Sequence, residues 1–384
     1  MTLMLLSNPY RPDPRVQLEA RALKGAGIGV KLVAWDREGT WPVEESQPEL
    51  DVVRVGPRCP ARSAMKVATS LPRFWFRALS QIRNVDFDVV HANDFDTLPL
   101  GIVISRLKRR PLLYDAHELY AKMIEAEAGP FSTLVWMMER RCVRTPDEVI
   151  TVSNSLASEI EKHRERRVGV VTTSQDPSEV LKADRQAVRA KYGLKGFVIS
   201  YLGALEPGRF VEELATSFTT EDKVFVLVAG HGTLEPKIVE AAKNNPVVRF
   251  IGRVDADEAL RLTWASDLTL AMMDPSNPNN LVGTPGKIIN SLGVGRPVIT
   301  TRGLQIADKI EKAGAGIVIP FDRYKFVEAV LKAAASPKEL EEMGRKGRRL
   351  YENEFSWERS REELLSVYRG LLKTVKSPPG STSQ

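Results

Sequence analysis

Cysteine is nearly absent: Cys59 and Cys142 are the only two in 384 residues, and they stand far apart in the chain. A disulfide framework or a cysteine-ligated zinc site is therefore excluded as the basis of the fold. Long apolar runs are missing as well, none reaching the roughly 18 residues that a membrane-spanning helix requires. The opening strand, Thr2 to Leu6, is too short for the apolar core of a signal peptide and has no basic leader or cleavage site. A cytoplasmic protein is expected. Histidine is scarce too, with four in the chain, so a histidine at the end of a strand carries weight.

What is present is globular: 43% of residues are hydrophobic and 27% charged. At 384 residues the chain exceeds what one core usually supports, so two domains are expected. Strand-like apolar runs alternate with helical patterns almost from end to end, from Leu3–Leu6 and Val30–Trp35 to Val298–Thr300 and Gly316–Ile319. Such alternation implies βαβ units and parallel sheets, hence an α/β protein of two doubly wound, Rossmann-like domains. Turn formers between Thr172 and Ala183 mark the break, giving domains over 1–174 and 175–354, a last helix over 355–375 and a tail over 376–384 of disordered composition. The last helix has apolar positions Leu364, Leu365, Val367, Tyr368, Leu371 and Leu372 at helical spacing. It either covers the second domain or crosses back onto the first.

Between Asp88 and Tyr120 two buried-strand patterns end abruptly in polar groups. Val89-Val90 leads to His91, Asn93, Asp94 and Asp96, and Leu112-Leu113-Tyr114 leads to Asp115, His117 and Glu118. Strands of a parallel sheet are apolar on both faces and their ligands gather at the carboxyl ends, so these residues lie on a sheet rim. Asp94 and Asp96 are equally readable as helix caps, and Asp94-Phe95-Asp96 also spells an acid-any-acid pattern able to bind manganese. In the second domain, the strand ending at Gly203 is followed by a glycine-bearing loop, Arg209 and a helix start near Phe210. Helix N-termini and arginine both suit an anion. Gly283-Thr284-Pro285-Gly286 with Lys287 opening a helix offers amides, a hydroxyl and an ammonium to a phosphate. The turn Gly252-Arg253-Val254 after another strand suits a nucleobase edge.

From Arg54 to Arg83 the chain carries seven cations and no carboxylate. A helix following Pro72 would put Trp75, Ala78, Leu79 and Ile82 on one face and Arg73 and Arg77 on another. That pattern suits an anionic membrane surface over Arg62–Arg83, or a sheet-covering helix whose tryptophan faces the core. The same cluster could stack on single-stranded bases, but no base-reading module accompanies it, and no nucleic-acid partner is expected.

Taken in order, Asp13-Pro14-Arg15-Val16, His91 to Asp96, YDAHEL, Ser153, YLG with Arg209, VAGHG, FIGRV, PGKIIN with GRPVI, and FSWER resemble the GT-B fold glycosyltransferases of the large retaining family four. The resemblance spans about Met1 to Leu372. It implies two Rossmann-like domains facing across a cleft, the first binding the acceptor and the second a nucleotide diphosphate sugar, with the last helix returning to the first domain. Carried over by position, it implies His117 beside the donor hexose, Arg209 and Lys287 on the diphosphate, and Gly252, Arg253 and Val254 around the base. Gly203, Gly283 and Thr284 would meet sugar and phosphates, and Asn290 the ribose. Arg15, Asp94, Asp96 and Glu118 would be acceptor-side groups. No metal and no cofactor beyond the sugar nucleotide are implied, His117, Arg209 and Lys287 being the catalytic set. Similar enzymes often extend lipid-linked or polysaccharide acceptors, which fits peripheral contact with the inner face of a membrane. Three departures stand out. Asn290 replaces a common glutamate, Val282 or a neighbour replaces another, and Ala204 replaces an arginine. They keep open a non-catalytic partner protein, while a sugar-nucleotide epimerase would need acid and base carboxylates that the Asn290 region does not supply.

Overall fold

Valine, isoleucine and leucine dominate the apolar runs, and each run becomes a strand. The first sheet holds β1 (Thr2–Leu6), β2 (Val30–Trp35), β4 (Asp51–Val55), β5 (Val89–Asn93), β6 (Leu112–Ala116), β7 (Glu148–Thr151) and β8 (Gly169–Val170), with the polar β3 (Glu44–Ser46) added at its edge. The second sheet holds β9 (Phe197–Leu202), β10 (Val224–Ala229), β11 (Val248–Phe250), β12 (Leu268–Ala271), β13 (Val298–Thr301) and β14 (Gly316–Ile319). The computed structural model describes residues 1–10, 13–59, 64–118, 120, 131–172, 174–277, 280–281 and 284–376. It divides the chain into Met1–Thr173 with Glu358–Gln384, and Ser174–Trp357.

The sheet orders are β3-β4-β2-β1-β5-β6-β7-β8 and β11-β10-β9-β12-β13-β14. Every neighbouring pair is parallel except β3 with β4. The direction of winding therefore reverses between β1 and β5 in the first unit and between β9 and β12 in the second. In a doubly wound sheet that reversal opens a crevice at the carboxyl ends of the two strands, where ligands bind. β3 has no apolar alternation to announce it. Its Glu44 and Ser46 are exposed, and charge on a short edge strand discourages further pairing.

The helix Trp357–Lys376 belongs to the first unit. Leu364, Tyr368 and Leu371 are buried, the Ser360 hydroxyl accepts from Thr172 N at 3.0 Å, and the Tyr368 hydroxyl lies 2.9 Å from His91 Nδ1. The alternative, a helix covering the second unit, is thereby corrected. Residues 377–384 of the expected tail lie outside the described residues.

The cationic stretch also differs from expectation. Its helix runs from Ala64 to Gln81 with Pro72 inside it, instead of starting after Pro72. Phe74 is wholly buried and stacks on Trp35 with ring centroids 5.1 Å apart. Trp75 turns inward, its Nε1 donating to the Asp96 carbonyl at 3.0 Å. The sheet-covering reading holds for Trp75, while Phe76 is 75% exposed between exposed Arg73 and Arg77. Arg62 lies outside the described residues. Phe74→Ala is expected to cost about 3–5 kcal/mol, through lost burial and the cavity left behind, whereas Phe76→Ala stays within about 0.5 kcal/mol. Urea unfolding of the two variants checks the contrast.

Candidate functional site

In the first unit, the loops after β1, β5 and β6 converge. Asn8 organises the first: its Oδ1 accepts from Tyr10 N at 2.7 Å and its Nδ2 donates to Asp13 Oδ2 at 2.9 Å. Asp13 then caps the helix Pro14–Gly25 by accepting from Val16 N at 3.3 Å. That cap presents Arg15, whose Nη2 lies 3.9 Å from Asp94 Oδ2 and whose Nε lies 3.5 Å from Asp13 Oδ1. Burial would weaken the Arg15 proton, but Asp13, Asp94 and Asp115 outweigh it and hold the guanidinium firmly charged.

After β5, Asp94 sits in the left-handed region at φ 62. Asp96 is buried, and burial together with Asp94 pushes its carboxyl up to about 7. Neither residue caps the next helix, Leu98–Lys108. Thr97 occupies that position and makes no cap bond, its hydroxyl donating instead to the Asn93 carbonyl at 2.5 Å. After β6, His117 Nε2 lies 2.8 Å from Asp115 Oδ2 as a close charge contact. Burial alone would lower His117, yet Asp115 outweighs it and the imidazole keeps its proton above the usual 6.5. Burial and then Asp94 raise Glu118. Thus Arg15, Asp94, Asp96, His117 and Glu118 share one electrostatic neighbourhood.

In the second unit, β9 ends against Gly203, at φ 149, and Gly203 N donates to the Ala229 carbonyl at 3.0 Å. Lys287, in the helix Gly286–Gly293, places its ammonium 3.7 Å from the centroid of the Tyr201 ring and close against Gly203, where a Cβ would meet Nζ at 3.3 Å. The Tyr201 hydroxyl donates to the Ala204 carbonyl. Burial and the neighbouring Arg209 guanidinium bring Lys287 down to about 7. Arg209 Nη1 contacts Met273 Sδ at 2.6 Å. No ion-pair partner for Arg209 or Lys287 occurs among the described residues. Asn290 Nδ2 donates to Gln175 Oε1 at 3.4 Å, while Asn290 Oδ1 is buried with no partner among them.

Gly203, Arg209, Lys287 and Asn290 therefore cluster around the Gly286–Gly293 helix, with Thr284 half-buried two residues before it. Gly283 and Val282 lie outside the described residues. Gly252, at φ 75 with open space where a Cβ would stand, has its carbonyl bonded by Gly230 N at 2.8 Å. Arg253 is exposed and Val254 packs on the cluster of Val198, Leu227 and Leu262. One expectation is corrected: the helix beyond Arg209, Val211–Thr216, has six residues and an N-cap, Phe210, at φ 60 without a side-chain bond. A helix so short has little dipole to offer an anion, so the anion chemistry here rests on Arg209 and Lys287.

Sequence reasoning passed over Glu19 and Tyr368. Glu19 sits on the inward face of its helix among Val16, Ala20 and Leu23, and an acid at that spacing was the available signal. Glu19, His91 and Asp115 bring donor atoms within 4.8 Å of one another. Their separations from His91 Nε2, 3.9 and 4.0 Å, exceed the roughly 3.0–3.4 Å between adjacent ligands on a small divalent ion with bonds of about 2.1 Å. Such an ion does not fit without movement.

Two Rossmann-like units, each with polar and cationic groups at its winding reversal, define a doubly wound α/β protein. Residues 15–179 match the model for glycosyltransferase family 4, and residues 196–336 match that for glycosyl transferases group 1. The chain belongs to the GT-B glycosyltransferases of the family-four type. It is 23% identical over 293 residues to the capsular polysaccharide biosynthesis glycosyltransferase CapM of Staphylococcus aureus, covering 71% of this chain and 74% of that one. Among solved structures it is similar to sucrose-phosphate synthase from Thermosynechococcus elongatus, with TM-score 0.79 and 18% identity over 97% of this chain and 100% of that one. HepE of Anabaena in complex with UDP-glucose aligns with TM-score 0.70 and 13% identity over 96% of this chain and 100% of that one.

Proposed function

We propose that this protein transfers a sugar from a nucleotide diphosphate sugar to a lipid-linked or polysaccharide acceptor, with retention of configuration and without a metal. The observation that carries this reading is the Arg209–Lys287 pair. Lys287 rests against Gly203 and Arg209 against Met273, close enough to repel each other, at the winding reversal of the second sheet and with no carboxylate in ion-pair reach among the described residues. Like charges held together unpaired are costly in the empty protein and repaid by an anion carrying two or more charges. A diphosphate is such an anion, and the fold relative HepE is named in complex with UDP-glucose. The unpartnered Asn290 Oδ1 is placed to accept a ribose hydroxyl, and the open backbone at Gly252 suits the edge of a base.

In this mechanism Lys287 and Arg209 stabilise the charge that grows on the departing diphosphate, doing the work of a divalent ion. His117, kept protonated by Asp115, positions the transferred hexose. The leaving phosphate takes the acceptor's hydroxyl proton on the face from which it departs, so no protein nucleophile is needed. Arg15, Asp94, Asp96 and Glu118 orient the acceptor. Exposed Phe76 with Arg73 and Arg77 suits peripheral contact with an anionic membrane, and no described helix is long and apolar enough to cross one.

The test is calorimetry of UDP, GDP, ADP and their sugar conjugates, each in two buffers of different ionisation enthalpy. One diphosphate nucleotide should bind with proton uptake approaching one per site near pH 8, where Lys287 at about 7 is mostly neutral until the anion arrives. The uptake should vanish near pH 6, where it is already charged. Binding by none of the panel would overturn the reading.

A further inference from the structure

Three side chains that the transfer mechanism leaves unused, Tyr368, His91 and Glu19, form a buried chain that reaches His117 through Asp115. At one end is Tyr368 on the last helix, its hydroxyl 2.9 Å from His91 Nδ1. His91 Nε2 faces two carboxyl groups, Glu19 Oε2 at 3.9 Å and Asp115 Oδ2 at 4.0 Å. Asp115 Oδ2 in turn lies 2.8 Å from His117 Nε2. Each of the five is at least nine-tenths buried. Unpartnered polar atoms that deep are rare in folded proteins. Among the described residues Glu19 Oε2, His91 Nε2 and Asp115 Oδ2 all lack a hydrogen bond, and donor atoms of the three residues lie within 4.8 Å of one another.

We propose that Tyr368, His91 and Glu19 are positioning residues for His117, acting through Asp115, with one proton shared between Glu19 and Asp115. This rests on the reading of His117 as the group beside the transferred sugar.

Two carboxylates enclosed together cannot both keep their charge. Asp115 is the one that keeps it. Burial would raise it, but His117 in contact outweighs burial and lowers it. Among the described residues Glu19 has no such cation in contact; burial and then Asp115 outweigh the opposing field of Arg15 and raise it well above the usual range, so Glu19 carries the proton. Burial also brings His91 down to about 4, which makes it neutral. A neutral imidazole has one N–H; Tyr368, held well above its ordinary value by burial, keeps its hydroxyl hydrogen, and in the proposed chain it donates that hydrogen to Nδ1. His91 therefore carries its hydrogen on Nε2, toward the carboxyl pair. Among the described residues, the remaining charged groups around the chain are Asp13 and Arg15 at the start of the first helix, Asp94 after β5 and Glu118 after β6. The result is a fixed order of charge: neutral Tyr368, neutral His91, neutral Glu19, anionic Asp115, cationic His117.

Full-length protein labelled with 15N-histidine carries four imidazoles, which can be assigned by single substitution and titrated by NMR from about pH 5.5 to 8.5. In wild type, His91 should stay one neutral tautomer with its hydrogen on Nε2, and His117 should titrate above 6.5. Glu19→Gln, which keeps a neutral donor, should leave the His117 midpoint within about half a pH unit and kcat within about threefold. Tyr368→Phe should mix the His91 tautomers, lower the His117 midpoint and reduce kcat about tenfold, with the donor KM within about twofold. A His117 midpoint that falls by about one pH unit or more in Glu19→Gln would show an ionised Glu19 and overturn the shared proton. An unchanged His117 titration and kcat in Tyr368→Phe would overturn the positioning chain. The titrations need no donor, so a wild-type protein that transfers no sugar would sink the function and leave the chain to be decided by the spectra.

Discussion

Lys287→Ala is expected to lower kcat for sugar transfer by about 100- to 1,000-fold, the usual loss when one preorganised charge facing a leaving group is removed. The same change should leave the ligand-free protein no less stable. Removing an ammonium that burial and Arg209 already hold down to about 7 relieves a desolvated charge and its repulsion, and what is lost is one cation–π contact with Tyr201. The two readouts together separate catalysis from scaffolding. A lysine that merely packed the Gly203 loop would lower the melting temperature when truncated, with kcat falling in proportion to the folded fraction. Lys287→Arg should recover only part of the rate. The ammonium fits close over the Tyr201 ring, and the planar, wider guanidinium has to find room beside Arg209. Steady-state kinetics with the donor identified by calorimetry, run beside thermal unfolding, measures both effects. A kcat within about threefold of wild type would remove Lys287 from the mechanism.

The second large effect concerns Gly230. Its φ of 145 lies in a region open almost only to glycine, which alone costs another residue about 1–3 kcal/mol. A Cβ there would stand 1.8 Å from the Gly203 carbonyl oxygen, inside any permissible contact. Gly230→Ala must therefore push away the very loop against which Lys287 rests. The expected loss is about 3–5 kcal/mol, combining backbone strain and overpacking. In a unit of this size that corresponds to a fall of roughly 6–20 °C in the second unit's melting temperature. Nucleotide affinity should fall with it. The control is Gly286→Ala, where a Cβ meets nothing within 4 Å and the backbone is already helical, so stability should hold or rise slightly. If Gly230→Ala melted with wild type, the close approach of Gly230 to Gly203 would be wrong.

The alternating architecture was legible because parallel strands covered on both faces must be continuous apolar runs. Val224–Ala229 and Leu112–Tyr114 cannot easily be anything else. β3 was not legible, since Glu44, Glu45 and Ser46 carry no strand pattern and pair only because β4 leaves an open edge. The start of the Ala64–Gln81 helix was missed for a related reason. Proline is a stop signal in sequence, yet Pro72 lies exposed within that helix. Periodicity correctly put Trp75 with Ala78 and Ile82, but only the Asp96 carbonyl shows where its indole points. Around the site, Lys287 could be found from its place after a glycine-rich turn. Its depressed basicity could not, because that comes from Arg209 and from enclosure. Glu19 and Tyr368 were hidden by the same rule that reveals cores. Residues on the inward face of an amphipathic helix are read as packing, and a pattern of spacing has no means of showing that two such faces meet over one imidazole.

The last helix has a consequence for biosynthesis. His91 and Tyr368 are separated by 277 positions, and the whole second unit is translated between them. At roughly 5–20 residues per second, the ribosome takes about 10–40 s to pass from the end of the first sheet to the helix that completes it. For that interval the nascent first unit presents an open apolar trough, waiting for Leu364, Tyr368 and Leu371, with a buried-type imidazole in its floor. The second unit, closed in sequence from Ser174 to Trp357, needs nothing later and can finish first. Chaperone dependence should accordingly fall on the part of the protein that is made earliest, and a single proteolytic cut before Trp357 would undo the first unit while sparing the second.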